Sequence, residues 1–336
     1  MVLHTRYAAG DAARGHRPRR AAALAWLAAL AMLPGLAAGP AAAETLAYAP
    51  GMVCGADPAR PDRDDALAQR IAATPRGAVA YYRFGQGSPI VLVTGYRATM
   101  AEWNAYFLGE LARTHEVIVF DNRGIGRSVA RAGGDRLGDL SRDTGALIET
   151  LGLKDVTVLG WSMGGAVAQL LALEQPALVS RLVLLSTLPP GRASVPVSGR
   201  VEQVLSGSGK GHYERVMDLL FPPAVAPRAA QCFLKDMFTP PGYGNPAIPP
   251  AVTRQQDAML RAWHGDDRAF GRLRQVAAPA LVLAGTDDAV LAPRNARVLA
   301  QALPRATLDD VAGGGHAMMY QYPRQLAQRI SAFIGR

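Results

Sequence analysis

The chain has 336 residues, of which 49% are hydrophobic and 19% are charged, so it can bury a large core and is neither a disordered chain nor a repeat array. Its formal net charge is +9, but five of the basic residues lie within the first 20 positions. The remaining positive charge is spread out, without a basic run or interleaved aromatic residues, which argues against a nucleic-acid partner. We therefore expect one globular domain that binds no nucleic acid, and we take a monomer as the default.

The first 43 residues contain the three parts of a secretory signal. A basic segment that ends in Arg19 and Arg20 precedes the apolar stretch AAALAWLAALAMLPGLAAGPAAA, which closes on small residues. An uncleaved membrane anchor is the alternative, but Pro34 interrupts the apolar run after about 14 residues, short of the roughly 20 that span a bilayer. We predict cleavage after Ala43 and export to the periplasm or the extracellular space, with no stable membrane span afterwards.

Export changes the interpretation of the two cysteines, Cys54 and Cys232. An even number of cysteines in an oxidising compartment permits one disulfide, which would tie the N-terminal arm, residues 44–77, to a distant part of the chain. Two unpaired thiols are the alternative, because the sequence does not give the distance between the two Cα atoms.

From residue 78 onward, short apolar runs alternate with segments of helical periodicity. The apolar runs predict strands at 79–84, 90–93, 117–120, 156–159, 181–186, 280–284 and 307–311. The periodic segments predict helices at 101–112, 138–151, 163–174, 294–303 and 323–334. Nearly continuous apolar strands with crossover helices predict an α/β fold with a mostly parallel, doubly wound sheet. In such a sheet, ligands bind at the carboxyl ends of the strands.

Residues 188–275 break this alternation and divide the sheet domain into residues 78–187 and 276–336. This interval has no strand-like run, and three Pro-rich connections surround helical pieces such as HYERVMDLL and TRQQDAMLRAWH. Proline restricts itself and the residue before it, so these connections mark helix boundaries. Because the helical pieces carry large apolar residues that need burial, we predict a small helical cap rather than a disordered linker.

Ser162 lies between the predicted strand VTVL and the predicted helix that begins near Met163. Gly160 and Gly164 flank it, as in the G-x-S-x-G pattern, in which a sharp strand-to-helix turn presents a nucleophilic serine. An ordinary serine N-cap is the alternative. The strand-turn-helix context favours the nucleophile.

A serine hydroxyl needs a base, and the base needs a carboxylate that holds its tautomer. We predict His316 as the base, because it follows a strand in the glycine-rich loop AGGGHAM. The acid is Asp288 or Asp287, which adjoin each other after another buried strand. We favour Asp288, with Asp287 as a cap of the following turn, since adjacent side chains point in different directions.

The tetrahedral intermediate of acyl transfer needs hydrogen-bond donors for its oxyanion. We predict the backbone N–H of Met163, at the start of a helix, as one donor. The other donor is predicted in the loop TGYRATM, where Gly95 permits a close approach and the N–H of Tyr96 is the candidate.

Together these segments resemble the serine-type α/β-hydrolases, including esterases and lipases. The resemblance rests on TGYRATMAEW and FDNRGIGRS after two successive strands, LGWSMGG at the nucleophile, AGTDDAVLAP at the acid and GGGHAM at the histidine. It covers residues 78–336 and implies a cap inserted after the sixth strand of the family's fold. The motifs are specific for the fold and less specific for the substrate.

Two residues depart from the family pattern. Thr94 occupies the position of the usual histidine before the oxyanion glycine, which leaves the backbone donor in place. Arg97 occupies a position that is often small. We expect a solvated loop arginine, and the alternative is a substrate-pocket residue that would meet an acidic group. For Trp161 we expect packing beneath the serine turn, and it is also a substrate-pocket candidate.

Patterns for cofactors are incomplete. FDNRGIGRS has Val129 where a dinucleotide fingerprint has its third glycine, and SGSGKG lacks the first glycine and the final Ser or Thr of a phosphate-binding loop. No His or Cys pair has metal-ligand spacing. We therefore expect neither a cofactor nor a metal.

The resemblance implies acyl chemistry, because family members that open epoxides or displace halide use aspartate at the position of Ser162. We expect a carboxylic-ester hydrolase that acts on a small to medium, largely apolar ester or lactone. The alternatives on the same triad are an aminopeptidase, a carbon-carbon bond hydrolase, and a perhydrolase or acyltransferase; a non-catalytic receptor would bind a ligand under the cap. An aminopeptidase needs an acidic anchor for the substrate amine, for which the candidates are Glu202, Glu214, Asp218 and Asp236.

Overall fold

The computed structural model describes residues 43–131 and 136–335. The predicted signal segment, apart from Ala43, lies outside these residues. The strands are, in chain order, β1 (Glu44–Leu46), β2 (Arg70–Thr74), β3 (Gly77–Gly85), β4 (Ser88–Val93), β5 (His115–Phe120), β6 (Val129–Ala130), β7 (Thr157–Trp161), β8 (Arg181–Leu185), β9 (Ala280–Gly285) and β10 (Ala306–Val311). The helices are α1 (Ala105–Ala112), α2 (Leu137–Thr150), α3 (Met163–Glu174), α4 (Gly199–Ser206), α5 (His212–Leu220), α6 (Ala226–Asp236), α7 (Pro250–His264), α8 (Asp267–Arg272), α9 (Arg294–Ala302), α10 (Met318–Gln321) and α11 (Pro323–Ile334). Within the described ranges, no helix combines the length and the apolar character that a membrane crossing requires.

These strands form one sheet in the order β1-β10-β9-β8-β7-β4-β5-β3-β2, with β6 paired to β3. The neighbours from β1 to β5 in this order are parallel, whereas β3 runs antiparallel to β2, β5 and β6. The central strands β7 and β9 are buried at every residue, as expected for parallel strands covered on both faces. The predicted α/β class with a mostly parallel sheet is confirmed.

All seven predicted strands are present, and the predicted helices differ mainly at their ends. The helix predicted at 101–112 begins only at Ala105, because the side chain of Asn104 accepts the N–H groups of Tyr106 and Phe107 and so caps α1. The residues immediately before it form a short 3-10 turn. An N-cap with an extended backbone therefore separates two helical segments that the apolar pattern had joined.

The predicted N-terminal arm contributes two strands that the sequence pattern did not indicate. β1 pairs in parallel with β10, in a register that places Glu44 opposite Asp309. β2 pairs antiparallel with β3 at the opposite edge of the sheet. Both are edge strands with few buried side chains, so backbone hydrogen bonds to a preformed neighbour, rather than an apolar run, define them.

The interval 188–275 forms helices α4 to α8, with none of the strands of the sheet among them. It is fastened to the loop before α1, where the N–H of Phe238 donates to the carbonyls of Ala101 and Trp103 at 3.0 and 2.9 Å. Phe238 is fully buried. The helical segment therefore packs directly on the loops at the carboxyl edge of the sheet.

The arm also clamps helix α6. Cys54 and Cys232 form a disulfide, with their Cα atoms 4.3 Å apart. The buried carboxylate of Asp236, at the end of α6, accepts the backbone N–H of Cys54 at 3.0 Å. Arg60 forms a buried ion pair with Asp62. Its guanidinium also donates to the carbonyls of Lys235 and Met237, on either side of Asp236. Covalent and polar contacts thus hold the C-terminal end of α6 against the arm.

We expect Cys54→Ser combined with Cys232→Ser to lower the free energy of unfolding by about 2 to 4 kcal/mol, because the disulfide restricts the unfolded chain. Equilibrium urea unfolding measures this difference. As a control, a reductant should lower the wild-type stability to that of the double variant and leave the variant unchanged. A wild-type transition that is insensitive to reduction would contradict the pairing.

Candidate active site

Ser162 stands at a sharp turn between β7 and α3. Its backbone has φ 55° and ψ −123°, a positive φ that is strained for a residue with a side chain. The side chain makes no capping hydrogen bond to α3, so the N-cap alternative is wrong. The turn instead leaves the hydroxyl in the wall of two cavities.

The neighbouring glycines make room for this turn. A Cβ on Gly160 would lie 2.3 Å from the carbonyl oxygen of Gly164, and a Cβ on Gly164 would lie 2.1 Å from that of Val93. The backbone of Ser162 is held on both sides, since its N–H donates to Leu185 O at 3.0 Å and its carbonyl accepts the Thr187 hydroxyl at 2.6 Å. Glycine is therefore required at both positions by packing, because a side chain would collide with backbone atoms.

His316 lies in the loop that follows β10 and is buried. Gln321 shapes this loop, because its side chain accepts the N–H of Gly315 at 2.7 Å and donates to the carbonyl of Gly313 at 2.9 Å. The indole Nε1 of Trp161 donates to the carbonyl of His316 at 3.0 Å. Contacts from β7 and α10 thus fix the position of the histidine.

Asp288 faces His316, with 2.9 Å between its Oδ2 and the histidine Nδ1. Its Oδ1 accepts the backbone N–H groups of Val290 and Leu291, each at 2.8 Å. The prediction that Asp287 caps this turn is therefore wrong. Asp288 makes both contacts, one with each carboxylate oxygen, whereas the exposed Asp287 accepts the hydroxyl of the preceding threonine.

The two predicted oxyanion donors lie beside Ser162. Met163 is the first residue of α3, where backbone N–H groups have no partner within the helix. Tyr96 follows Gly95, whose backbone approaches so closely that a Cβ there would lie 3.3 Å from Ser162 Cβ. The phenol of Tyr96 donates to Asp257 at 2.7 Å. The pKa of Tyr96 is raised, mainly by burial and also by this hydrogen bond. Helix α7 therefore anchors the loop that carries Tyr96.

This arrangement agrees with the comparison to known families. The sequence model of the family described as alpha/beta hydrolase fold matches residues 88–323. The chain belongs to the α/β hydrolase family. It is an enzyme, and the helical segment 188–275 is an insertion between two parts of its hydrolase sheet.

Individual relatives of this α/β hydrolase have varied descriptions. It is 29% identical over 269 residues to a non-heme chloroperoxidase of Streptomyces lividans, which covers 74% of this chain and 92% of that protein. An alpha/beta hydrolase fold protein from Chitinophaga pinensis superposes with a TM-score of 0.69 and 19% identity, over 80% of this chain and 98% of that one. A thermophilic esterase from Thermogutta terrifontis gives a TM-score of 0.63 and 24% identity, over 80% and 98%.

Thr94 and Arg97, the two departures from the family pattern, have structural contacts in this hydrolase. The hydroxyl of Thr94 accepts the side-chain amide of Asn122 at 3.1 Å. The guanidinium of Arg97 donates to the carbonyl of Leu205 at 2.5 Å and to that of Gly207 at 3.4 Å. A solvated Arg97 was therefore the wrong expectation, because its side chain binds the C-terminal carbonyls of α4.

Two cavities of the hydrolase meet at Ser162, Tyr96 and Leu205. The larger cavity, of about 510 Å³, is also lined by Trp161, His316 and residues of α5 and α6. The smaller cavity, of about 370 Å³, is lined by Met163 and by residues of α4 and α7. Trp161 therefore lines a cavity and positions the histidine loop, a contact for which the sequence contains no signal.

We expect Arg97→Met to lower the free energy of unfolding by about 1 to 2 kcal/mol, since a charged donor to two carbonyls is lost. Arg215→Met is the matched control, because its exposed guanidinium donates to a carbonyl within the same helical segment at 3.0 Å. Urea unfolding of both variants provides the comparison. Equal losses would count against a specific stabilising role for Arg97.

Proposed function

We propose that this hydrolase cleaves a small to medium, largely apolar carboxylic ester or lactone through an acyl-enzyme on Ser162. The observation that carries the proposal is the convergence of three features on one site. Ser162 occupies a strained turn, His316 lines the same cavity, and Asp288 bonds to the histidine Nδ1 at 2.9 Å. A nucleophile, a base and an orienting acid on separate loops are what acyl transfer requires.

In the proposed reaction, Ser162 Oγ attacks the ester carbonyl while His316 Nε2 accepts the hydroxyl proton. Asp288 holds the histidine tautomer with Nδ1 protonated and stabilises the imidazolium. The N–H groups of Met163 and Tyr96 bond to the developing oxyanion. The imidazolium then protonates the leaving alcohol, and water, deprotonated by His316, hydrolyses the acyl-enzyme to release the carboxylic acid.

The lining of both cavities supports a largely apolar substrate. Leu188, Val197 and Leu260 line the smaller cavity, whereas Val216 and Phe233 line the larger one. Pockets of a few hundred Å³ with few polar groups are typical sites for small molecules. The two volumes together suit a substrate with one short group on each side of the ester.

An aminopeptidase is a second candidate, and Glu202 is the observation that favours it. Glu202 lines the smaller cavity together with Asp257, so two carboxylates are near the site. The other acidic candidates are less suitable: Asp236 binds backbone N–H groups of the arm, while Glu214 and Asp218 are exposed. Turnover of amino-acid p-nitroanilides in preference to p-nitrophenyl esters would support this candidate.

We also propose that the enzyme acts outside the cytoplasm, after removal of residues 1–43. The disulfide between Cys54 and Cys232 supports this location, because such bonds persist in oxidising compartments. N-terminal sequencing of the exported protein tests it, with Glu44 as the expected first residue.

We expect a fluorophosphonate probe to label the wild-type enzyme and not Ser162→Ala. The probe reacts with serines that a base has activated, so labelling reports the nucleophile directly. Mass spectrometry of the labelled peptide identifies the site. Absence of labelling in the wild type, or equal labelling of the variant, would favour a non-catalytic receptor over a hydrolase.

We expect Asp288→Asn to lower kcat for a p-nitrophenyl ester by about 10⁴-fold, because the wrong histidine tautomer is then favoured. Asp287→Asn is the matched control and should retain wild-type turnover, since its exposed side chain does not contact His316. Steady-state kinetics of the two variants measures the difference. The opposite order of activities would refute the acid assignment.

A further inference from the structure

The two cavities differ in which catalytic group they contain. His316 lines the larger cavity and Met163 lines the smaller one. In the proposed mechanism, His316 protonates the leaving oxygen, so the leaving alcohol has to lie on the histidine side of Ser162. The acyl group then extends to the other side. This assigns the leaving alcohol to the larger cavity and the acyl chain to the smaller cavity.

Glu102 lines the larger cavity, whose wall combines apolar and aromatic side chains such as Tyr213 and Phe233 with Arg97 and His212. Its Oε2 accepts both the N–H and the hydroxyl of Thr99, each at 2.6 Å. Glu102 and Thr99 thereby form a capping box around the 3-10 turn before α1. Both Thr99 bonds end on Oε2, so Oε1 takes no part in the bonds to Thr99.

The capping box alone does not require a carboxylate, since glutamine occupies the same position in this motif. An ionised carboxylate in an apolar cavity is costly unless a cation or a hydrogen-bond donor accompanies it. A protonated amine supplies both.

We propose that the larger cavity binds a leaving alcohol that carries a protonated amine, and that Oε1 of Glu102 accepts a hydrogen bond from this amine. The substrates are then esters of amino alcohols that are apolar apart from the amine. This inference rests on the proposed function, because an alcohol leaves through this cavity only if an ester is cleaved. Water supplies a hydroxyl to the acyl carbon and a proton to the oxygen of the leaving alcohol. Glu102 exchanges no proton with the reacting atoms.

The titration of Glu102 predicts how this preference varies with pH. Burial raises its pKa to about 7, although the Thr99 bonds oppose the shift. The titratable and charged groups around it are Asp121 after β5, Tyr243 between α6 and α7, Tyr320 of α10 and, in the same cavity, Arg97, His212 and His316. Because the carboxylate fraction rises with pH, the preference for a protonated amine should increase between about pH 6 and about pH 8.

The experiment compares two butyrate esters of similar shape, one of 2-(dimethylamino)ethanol and one of 3-methylbutan-1-ol. The ratio of their kcat/KM values cancels the common contribution of Ser162 and His316. Replacement of Glu102 by Gln keeps the capping box, but its amide oxygen then takes the Thr99 bonds and its NH2 group faces the cavity. We expect Glu102→Gln to lower the ratio about tenfold, as for the loss of one charged hydrogen bond.

Glu214→Gln is the matched control, because it removes the same charge from an exposed position on α5 and should keep the wild-type ratio. Thermal unfolding of both variants verifies that the fold is retained. An unchanged ratio in Glu102→Gln, or a wild-type ratio that stays flat from about pH 6 to about pH 8, overturns the inference while ester hydrolysis stands. Absence of Ser162-dependent turnover of the neutral ester overturns the proposed function and the inference with it.

Discussion

The conformation of Ser162 is the constraint on which the rest of the site depends. A positive φ at a residue with a Cβ costs about 1 to 3 kcal/mol and persists only when the surroundings hold it. Here β8 accepts the N–H of Ser162, and the backbones of α3 and β4 approach so closely that Gly160 and Gly164 admit no side chain. The tight packing of α3 on the sheet therefore forces the turn that brings the Ser162 hydroxyl to the cavity wall.

The sequence could predict the elements whose formation depends on their own residues. The central strands are apolar along their whole length, and the glycine-rich loops follow them directly, so both the sheet and the positions of Ser162, Asp288 and His316 at one edge were predictable. β1 and β2 were not, because short edge strands depend on a partner strand for their hydrogen bonds. The choice between Asp287 and Asp288 needed the direction of each side chain.

Contacts between distant segments explain what the sequence could not predict. Arg97 lies 108 positions from the carbonyl that it binds on α4, and Trp161 lies 155 positions from His316. Glu102 has the local signal of a capping box, yet only the folded chain brings it to the cavity of Ser162. Local sequence patterns predict the turn or strand in which such a side chain lies. They do not predict which distant segment the side chain contacts.

The pairing of β1 with β10 has a consequence for the order in which the protein forms. β1 is the first strand of the described chain and lies parallel to the last, so this edge of the sheet has no template until nearly all of the polypeptide has been synthesised. The disulfide to α6 likewise joins residues 178 positions apart. Contacts of such long sequence separation form slowly, because chain entropy is lost before they contribute. β1 and the segment around Cys54 are therefore expected to dock late in folding, whereas β2 of the same arm pairs with the neighbouring β3.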